Sequence, residues 1–419
     1  AAGFGATGAA SWDTTVKTTG FTAVSGVGYF VNTTAGAISV NLPAGTAGDV
    51  VAIKDYAKTF DTNAVTLVQN GSDKIGGSTV NAILSTEGLA VTLVYIDSTQ
   101  GWLVTDDGLQ SVADTNPYMV ATGGTETTSG NCKIHTFTGP GTFCVSKAAL
   151  AAADNLVSYM VVGGGGGAGT GSNIANQSSG GGGGAGGFRE VISPSSPYSG
   201  SPLNGYPNAP NRITVTVQGY PIDVGSGGAG GIQCGPFSAG FTGTIGAVST
   251  FSSITGAGGG AGGSGGSADA GQGASGGGGG AQDCGATGNT PPVSPAQGTN
   301  GSAGASDAGG AGGGATVASS NATNENGADG GAGATTSINA TPTAYAGGGG
   351  GAGETTKGCG GAGGGGAGFT NGSNGSGSGV AGTANTGGGG GGAHSNSNPT
   401  PTSGGNGGSG VIIIRYRYQ

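Results

Sequence analysis

Side chains able to do chemistry are few in this chain. Only two histidines, His135 and His394, occur among its 419 residues, and they lie far apart in the sequence. His135 falls in a predicted strand and His394 in a predicted loop, which favours a structural role and a contact role over catalysis. Asp106 and Asp107 are adjacent carboxyls at a predicted strand end, where we expect them to be solvated. No set of nucleophile, base and orienting group can be assembled, so we predict no catalytic residues and no enzyme.

The cysteines do not follow a metal-binding pattern. The chain contains no Cys-x-x-Cys pair and no histidine at zinc-ligand spacing, so we predict no metal site. Cys132 and Cys144 flank a predicted hairpin, where a disulfide and a pair of small buried thiols are both open. The five cysteines are an odd number, which leaves at least one of them free or intermolecular.

Glycine motifs and charge exclude further classes of function. Matches to G-x-G-x-x-G are expected by chance in a chain with 105 glycines, and none lies in a strand–helix unit with a downstream acid. We therefore predict no cofactor. The formal net charge is −9, and Lys357 is the single Lys or Arg between Ile213 and Ile414. This balance argues against nucleic acid or an anionic membrane as a partner.

The elements that must position any functional residue are unusual, because glycine tracts recur between residues 163 and 410. Glycine is far above its ordinary share of about 7%. With almost no side chains, such a segment either stays a flexible linker or is held by backbone hydrogen bonds. Inserts between the tracts carry aromatic residues such as Phe188, Tyr220 and Phe251, which a linker does not need. The tracts are 163–167, 180–187, 225–231, 256–266, 276–280, 309–314, 347–353, 358–368, 387–392 and 404–410.

We favour a bundle of extended glycine helices with the polyproline-II twist. Collagen is excluded, because the chain has no strict Gly-X-Y period with abundant proline. A polyproline-II helix has about three residues per turn and no internal hydrogen bonds, so its N–H and C=O groups point outward in three directions. Without Cβ atoms, neighbouring helices can approach closely enough to pair these groups. The predicted fold class is all-β plus a polyglycine-II bundle, a sandwich of about ten extended tracts closed at its base by a β-sheet.

Strand patterns at 157–162 and 411–418 predict two neighbouring strands at this base. Ten alternating tracts return the chain to the end where it started, so these strands are expected to be antiparallel. Loops after the odd tracts then lie at the opposite end, the tip: they are 168–179, 232–255, 281–308, 354–357 and 393–403. Recognition residues concentrate in loops. The candidate binding residues are Asn173, Asn176, Phe237, Phe241, Asp283, Asn289, Asn300, Glu354, Lys357 and His394.

The first hundred residues have a different pattern. Short strands of period two predict a small β-sandwich or meander with Trp102, Tyr95, Phe30 and Ile53 in its core. The first residues lack the basic and apolar parts of a signal peptide, and no stretch approaches the roughly 18 apolar residues of a membrane span. The predicted organisation is a lead-in at 1–11, a β-rich attachment domain at 12–108, a linker at 109–117, a β-rich base at 118–162, the bundle with its inserts at 163–410 and a terminal strand at 411–419.

Several segments resemble a known family. They are the run 135–143, the strand–glycine junction 157–165, and the segments 183–190, 220–228 and 404–416. They resemble the glycine-rich domain of phage tail-fibre and virion structural proteins, most closely the marine, cyanophage-type versions. Residues 28–34 and 48–57 resemble the β-domain found beside it in such proteins. The resemblance covers most of the chain and is most specific where strands meet glycine tracts.

This resemblance implies a virion adhesin similar to the tail-tip adhesins of T-even-like phages, in which a polyglycine-II sandwich presents loops to a host receptor. The implied partners are a host cell-surface receptor, either a glycan or an outer-membrane protein, and other tail proteins of the extracellular virion. A homotrimer through the N-terminal domain is expected by the same analogy. The alternatives are a non-adhesive structural or decoration protein of the virion and an antifreeze-type bundle, and the irregular inserts speak against the latter. A related domain occurs in some animal receptor tyrosine kinases, so the fold alone does not fix function.

Overall fold

The chain forms two compact units that are built from β-strands. The computed structural model describes residues 10–109, 117–233, 240–266, 269–370, 375–395 and 401–419. The units are Ala1–Asn116 and Pro117–Gln419. Helix in the described ranges is limited to short 3-10 turns at Ala152–Asn155 and Ala209–Asn211, and none of it is long and apolar enough to cross a membrane. The strands form several open sheets.

Two sheets that share one buried core make up the first unit. The chain alternates between them, and successive strands of each sheet mostly pair in parallel. Of the two predicted alternatives, a sandwich and a meander, the meander does not describe this unit, because regular strand spacing does not reveal whether a strand pairs with its predecessor or crosses to the facing sheet. One sheet has the order β1 (Ser11–Lys17), β3 (Val27–Val31), β5 (Val50–Asp55), β8 (Leu89–Tyr95) and β9 (Trp102–Leu109), and the other β2 (Phe21–Thr22), β4 (Ile38–Asn41), β6 (Val65–Val68) and β7 (Ala82–Leu84).

The core of the first unit confirms three of its four predicted members. Ile53, Tyr95 and Trp102 are buried, and the rings of Tyr95 and Trp102 meet edge to face at 5.6 Å. The prediction for Phe30 is wrong, because Tyr29 occupies the core instead. Successive side chains of a strand point to opposite faces, so an error of one residue moves a side chain out of the core.

Two five-stranded antiparallel sheets form the base of the second unit. Strands β14 (Ser158–Val162) and β23 (Val411–Arg417) pair antiparallel, as predicted from the two strand patterns. Two small pairs, β17 (Ile232–Gln233) with β22 (Thr402–Ser403) and β20 (Ala334–Thr336) with β21 (Thr343–Tyr345), lie outside these sheets. One large sheet has the order β10 (Val120–Thr122), β13 (Gly141–Lys147), β16 (Gln218–Asp223), β18 (Ser249–Phe251) and β19 (Ile254–Gly256), and the other β11 (Thr125–Ser129), β12 (Cys132–Phe137), β23 (Val411–Arg417), β14 (Ser158–Val162) and β15 (Phe188–Val191).

The predicted hairpin between Cys132 and Cys144 is instead a corner between the two large sheets. Strand β12 pairs with β11 and β23, whereas β13 pairs with β10 and β16. Cys132 is buried and Cys144 exposed, and both are free thiols. A short glycine- and proline-containing turn links consecutive strands whether or not they pair, so it could not distinguish a hairpin from a corner.

Strand β23 is buried on both of its faces. Ile412, Ile414 and Tyr416 pack in the core between the two large sheets. Val411 and Ile413 pack in a second cluster on the opposite face. Alternate residues of a strand share a face, and the continuous apolar run at 411–414 is the pattern expected for a strand that is covered on both sides.

The glycine runs are held together by backbone hydrogen bonds that repeat every third residue. In the run 163–171, the N–H groups of Gly163, Gly166 and Gly169 donate to carbonyls in 181–187. The N–H groups one position later donate to 241–247, and those of Gly165 and Ala168 donate to Gly408 and Gly405. A run with so few side chains therefore bonds to three separate neighbours.

The bundle contains more passes than the ten that the glycine tracts predict. Additional extended passes run through 241–248, 283–289 and 298–304, where backbone groups bond to neighbouring glycine runs. These passes carry glycine at about every third position, as at 298, 301 and 304. A Cβ atom at Gly301 would lie 2.2 Å from the carbonyl oxygen of Gly277. A run at the side of the bundle therefore needs glycine only where it faces its neighbour, and counting dense tracts misses it.

The two ends of the bundle differ in what they contain. Strand β14 leads directly into the run 163–171, and the run 180–187 leads directly into β15. The turn 172–179 between these runs therefore lies at the end remote from the large sheets. We call that end the tip, and we call the end beside β14, β15 and β23 the base.

Candidate functional site

A pocket of about 480 Å³ opens at the tip of the bundle. Its walls come from separate turns between glycine runs, and most of its side chains are polar. The lining residues are Ser172, Asn173, Ile174, Ala175, Asn176, Ser178, Asp307, Glu325, Glu354 and Ser395.

The turn 172–178 forms one side of this tip pocket. Asn176 adopts a left-handed backbone conformation with φ of 66°, which Asn tolerates better than most residues. The N–H of Gln177 donates to the carbonyl of Ile174 at 3.1 Å, and the Ser172 hydroxyl donates to the Gln177 carbonyl at 3.2 Å. These local bonds fix the turn and leave Asn173 in the pocket wall.

Asp307 connects this turn to its neighbours. Its Oδ1 accepts a hydrogen bond from the Ser178 hydroxyl at 2.6 Å, and its backbone carbonyl accepts one from the Ser179 hydroxyl at 2.7 Å. The same carbonyl accepts the N–H of Glu354 at 3.2 Å. Asp307 has a positive φ of 49°, so a tight turn presents its carboxylate to the pocket.

A second acid, Glu325, is held by hydrogen bonds from Thr355 in the turn 353–356. The Thr355 hydroxyl donates to Glu325 Oε2 at 2.7 Å, and the Thr355 N–H donates to the Glu325 carbonyl at 3.0 Å. The next pair repeats this link, since the Thr356 hydroxyl donates to Asn326 Oδ1 at 2.7 Å. The turns at 323–326 and 353–356 are therefore joined side by side.

His394 lies behind the pocket and is fully buried. Its Nε2 is 2.8 Å from Oε2 of Glu354. Burial lowers the pKa of His394, and the Glu354 carboxylate opposes that shift. Burial thus favours the neutral imidazole, and the close approach of its Nε2 to Glu354 places that carboxylate in the pocket wall.

The floor behind Ser395 is a buried hydrogen-bond network. The Ser395 hydroxyl donates to Gln233 Oε1 and lies 2.8 Å from the Thr402 hydroxyl. Gln233 and Thr402 are paired residues of β17 and β22. This two-stranded sheet thereby anchors the C-terminal side of the tip pocket.

The pocket can accept hydrogen bonds and attract positive charge. Its lining contains three carboxylates and no Lys or Arg. Within the described ranges, no group of three or more His, Cys, Asp or Glu residues is arranged to hold a metal ion. Its side chains suit recognition of a ligand rich in hydroxyl, amide or cationic donors.

The structure brings together several of the predicted binding residues. Asn173, Asn176 and Glu354 line the pocket, and His394 supports Glu354. Asp283 lies in a separate turn at the tip, where burial and then the nearby Asp269 raise its pKa.

The remaining candidates lie outside the pocket. Phe241 is 46% exposed, and its N–H bonds the Thr170 hydroxyl at 2.9 Å near the tip. Lys357 is exposed at the start of a pass toward the base. Phe237 lies outside the described residues.

The tip positions predicted for Asn289 and Asn300 are wrong. Asn289 belongs to a loop at the base. In the same loop, the Gln297 carbonyl accepts the N–H of Phe188, the first residue of β15, at 2.9 Å. Asn300 lies within the pass 298–304, and its Oδ1 accepts the N–H of Gly288 at 2.9 Å. The segment 281–308 was predicted as one tip loop, but it runs to the base and back. Its two passes were missed because they carry too few glycines to count as tracts.

Sequence reasoning did not select Asp307, Glu325, Ser178 or Ser395 as binding residues. They lie far apart in the sequence and meet only because their turns reach the same end of the bundle. The signal that was available is local: Asp307 and Glu325 each lie in a short turn between two passes. Recognising those turns requires the correct number of passes.

The glycine-rich second unit matches a known family. The family model of the glycine-rich domain matches residues 136–417. The chain belongs to the glycine-rich domain family. A stretch of 92 residues is also 36% identical to the baseplate wedge protein gp10 of Enterobacteria phage T4. That match covers 21% of this chain and 15% of the wedge protein, so the glycine-rich domain protein described here corresponds to a small part of that relative.

Proposed function

We propose that the passes of the bundle are polyglycine-II helices. The support is the period of about three residues with which each run bonds to its neighbours, which is the repeat of the polyproline-II conformation. The central run 180–187 bonds in turn to 387–393, 257–263 and 310–313. Neighbouring runs thus take the place of the internal hydrogen bonds that this helix lacks.

Amide hydrogen exchange tests this proposal. We expect the N–H groups of 180–187 to exchange slowly, as in a core strand, although this run belongs to no sheet. Exposed glycines such as Gly130 provide the fast-exchanging reference. Fast exchange throughout 180–187 would contradict a hydrogen-bonded bundle.

We propose that the protein is a phage virion component that binds a host cell-surface receptor with its tip. The tip pocket carries this proposal, since it gathers polar side chains from separate turns at one end of a scaffold with few side chains. A scaffold held by backbone hydrogen bonds leaves its turns free to vary, and loops on rigid scaffolds are the usual place of recognition. The partial likeness to a phage baseplate protein supports the virion setting. The acceptor-rich lining suits a host glycan or the donor groups of an outer-membrane protein.

Competition for adsorption tests the receptor role. Soluble full-length protein should inhibit adsorption of particles that carry this chain. The double variant Glu325→Gln, Glu354→Gln should inhibit about tenfold more weakly, since charge-assisted hydrogen bonds are lost. The control Asp223→Asn removes an exposed acid from the base and should inhibit like the wild type.

The alternative is a virion structural protein whose tip packs on neighbouring virion proteins. The favouring observation is that the curated relative is named a baseplate wedge protein. Absence of inhibition by the wild-type protein would favour this alternative. Equal inhibition by the wild type and the double variant would place receptor contacts outside the tip pocket.

We propose that binding at the tip occurs without catalysis. Each carboxylate of the pocket has a neighbour within the chain, which suits a fixed recognition surface. The pairs are Asp307 with Ser178, Glu325 with Thr355 and Glu354 with His394. Incubation of the protein with host polysaccharide should leave the polymer length unchanged. A fall in polymer mass that the double variant lacks would identify an enzyme.

A further inference from the structure

A groove of about 580 Å³ crosses the outer part of the base. Its floor contains Arg415 and Arg417 of β23. Its walls are the β11–β12 turn at 129–131 and the loop 194–197. Both arginines belong to the face of β23 that carries Val411 and Ile413 further along the strand, so the apolar face becomes basic where it enters the groove.

Arg415 is buried without a complete set of acceptors. The residue is 6% exposed, and its guanidinium lies 5.5 Å from the centre of the Tyr198 ring. Nη1 donates to the Ile338 carbonyl at 3.4 Å. Nε is buried and has no hydrogen-bond partner among the described residues. Leaving a charged donor unpaired in the interior is costly, which indicates that an acceptor from outside the chain completes the site.

Glu190, which contacts the same Tyr198 side chain as Arg415, does not fill this role. Glu190 accepts hydrogen bonds from the Ser201 N–H at 2.8 Å, the Ser201 hydroxyl at 2.6 Å and the Tyr198 hydroxyl at 3.1 Å. Across the part of the chain that the structure describes, no ion pair within 4.0 Å involves Arg415. The carboxylate of Glu190 is thus committed to its own network.

Arg417 adds a second positive charge to the same groove. Its Nη2 donates to the Tyr118 hydroxyl at 3.0 Å, and its guanidinium lies 4.8 Å from the centre of that ring. Its Nε donates to the Gln419 oxygen at 3.2 Å, and these contacts orient the side chain in the groove. In a chain with a net charge of −9, two neighbouring arginines in one groove are suited to a negatively charged partner.

We propose that this groove binds a carboxylate carried by an extended peptide segment of a partner protein. Guanidinium groups bind carboxylates in a planar, often bidentate geometry. The groove is larger than a single carboxylate or phosphate requires, and its walls contain the apolar rings of Pro194 and Pro197 beside the polar Ser129 and Asn131. These walls provide surface for the residues that flank the acid. The site lies at the base, so it does not depend on receptor binding at the tip.

Two matched peptide pools test the proposal. Random heptapeptides, acetylated and amidated, carry a central Glu in one pool and a central Gln in the other. Both pools are passed over immobilised full-length protein, and the retained peptides are quantified by mass spectrometry. We expect about tenfold greater retention of the Glu pool, the ratio expected for a charge-assisted hydrogen-bonded pair.

Variants assign the preference to the groove. Arg417→Gln and Arg415→Lys should each remove most of the preference for Glu, while Arg212→Gln, which alters an exposed arginine elsewhere in the unit, should keep it. Because Arg415 is buried, a melting curve checks that the Arg415→Lys variant is folded. If that variant is unfolded, the test rests on Arg417→Gln, since Arg417 is only half-buried. Equal retention of the two pools, or an unchanged preference in Arg417→Gln, would overturn the proposal. Displacement of the peptides by acetate or inorganic phosphate at the same concentration would overturn the peptide assignment in favour of a small anion.

Discussion

Both histidines of the chain are fully buried. Nδ1 of His135 lies 2.7 Å from the Gly123 carbonyl oxygen, to which its N–H can donate. The His135 ring stacks on the Tyr416 ring, with 5.6 Å between the ring centres. Burial lowers the pKa of His135 and of His394 below the ordinary value of 6.5. Each ring is therefore held neutral by its surroundings, one in the base and one at the tip.

This burial predicts a loss of stability in mild acid. A folded-state pKa below the unfolded value means that the unfolded chain binds protons more readily. The contribution of each histidine to stability is then complete above its unfolded pKa and declines as the pH falls below about 6.5. The loss amounts to about 1.4 kcal/mol for each unit by which the two pKa values differ. Unfolding midpoints measured at pH 7.5 and pH 5.5 should show it.

Single variants separate the two rings. His135→Asn, in the base, and His394→Asn, at the tip, should each reduce the difference between the unfolding midpoints at pH 7.5 and pH 5.5. Restricting the range to pH 7.5–5.5 keeps most carboxylates ionised, so their titration contributes little. An unchanged difference between the two pH values in the double variant would contradict a role for the histidines.

Asn300 distinguishes the structure from the sequence prediction. It was predicted to contact the receptor, but it lies on a pass and bonds to Gly288. Asn300→Ala should therefore leave the inhibition of adsorption unchanged, at a stability cost of about 1 kcal/mol for one lost hydrogen bond. The matched tip variant is Asn173→Ala, which should weaken inhibition. The same weakening by both variants would support the original assignment.

At the scale of the element, the glycine run replaces side-chain packing with close contact between backbones. A Cβ atom at Gly183 would lie 2.1 Å from the carbonyl oxygen of Gly166. A methyl group there must push two runs apart and break bonds that repeat along both of them. The glycines of the central runs are thus required by the space between backbones, and not by a turn.

Gly183→Ala should destabilise the second unit by at least about 1–3 kcal/mol, the usual range for overpacking. The control is Gly139→Ala, since a Cβ atom at Gly139 would meet no atom within 4 Å, and its effect should stay within about 0.5 kcal/mol. Calorimetric unfolding of both variants gives the comparison. Equal melting temperatures would show that the runs can separate to admit a methyl group.

The sequence predicted some elements and not others for identifiable reasons. Strands β14 and β23 were predictable as partners because each has a strong apolar strand pattern next to a glycine tract. The passes 283–289 and 298–304 were not, because glycine at every third position among Ser, Thr and Asn looks like a polar loop. The tip pocket depends on those passes, so Asp307 could not be placed beside Asn176 without them.

At the scale of the whole molecule, the two proposed binding regions differ in charge and in position. The tip pocket carries carboxylates, whereas the groove of Arg415 and Arg417 is basic, and the two regions lie at opposite ends of the bundle. Together the two proposals describe a protein that attaches by its base and binds a receptor with its tip. The two sets of variants should therefore act independently, since distant sites add in free energy.

The homotrimer expected by analogy with tail fibres stays a prediction that a mass measurement decides. A trimer of the isolated chain would have about three times the protomer mass of 38.6 kDa. Light scattering of the full-length protein at several concentrations gives this value directly. A single species of 38.6 kDa would contradict the trimer and leave both the tip and the base proposals intact.

Composition and pattern alone determined that this chain is a β-protein with a bundle held by its backbone, since runs without side chains have only N–H and C=O groups to bond with. They also led to the predictions of no catalysis, no metal site and no nucleic-acid partner, which stay predictions. The tertiary structure decided how many passes the bundle has and which turns meet at the tip. The physical reason is that a pass needs glycine only where its backbone touches another, and those contacts exist only between segments that are distant in the sequence.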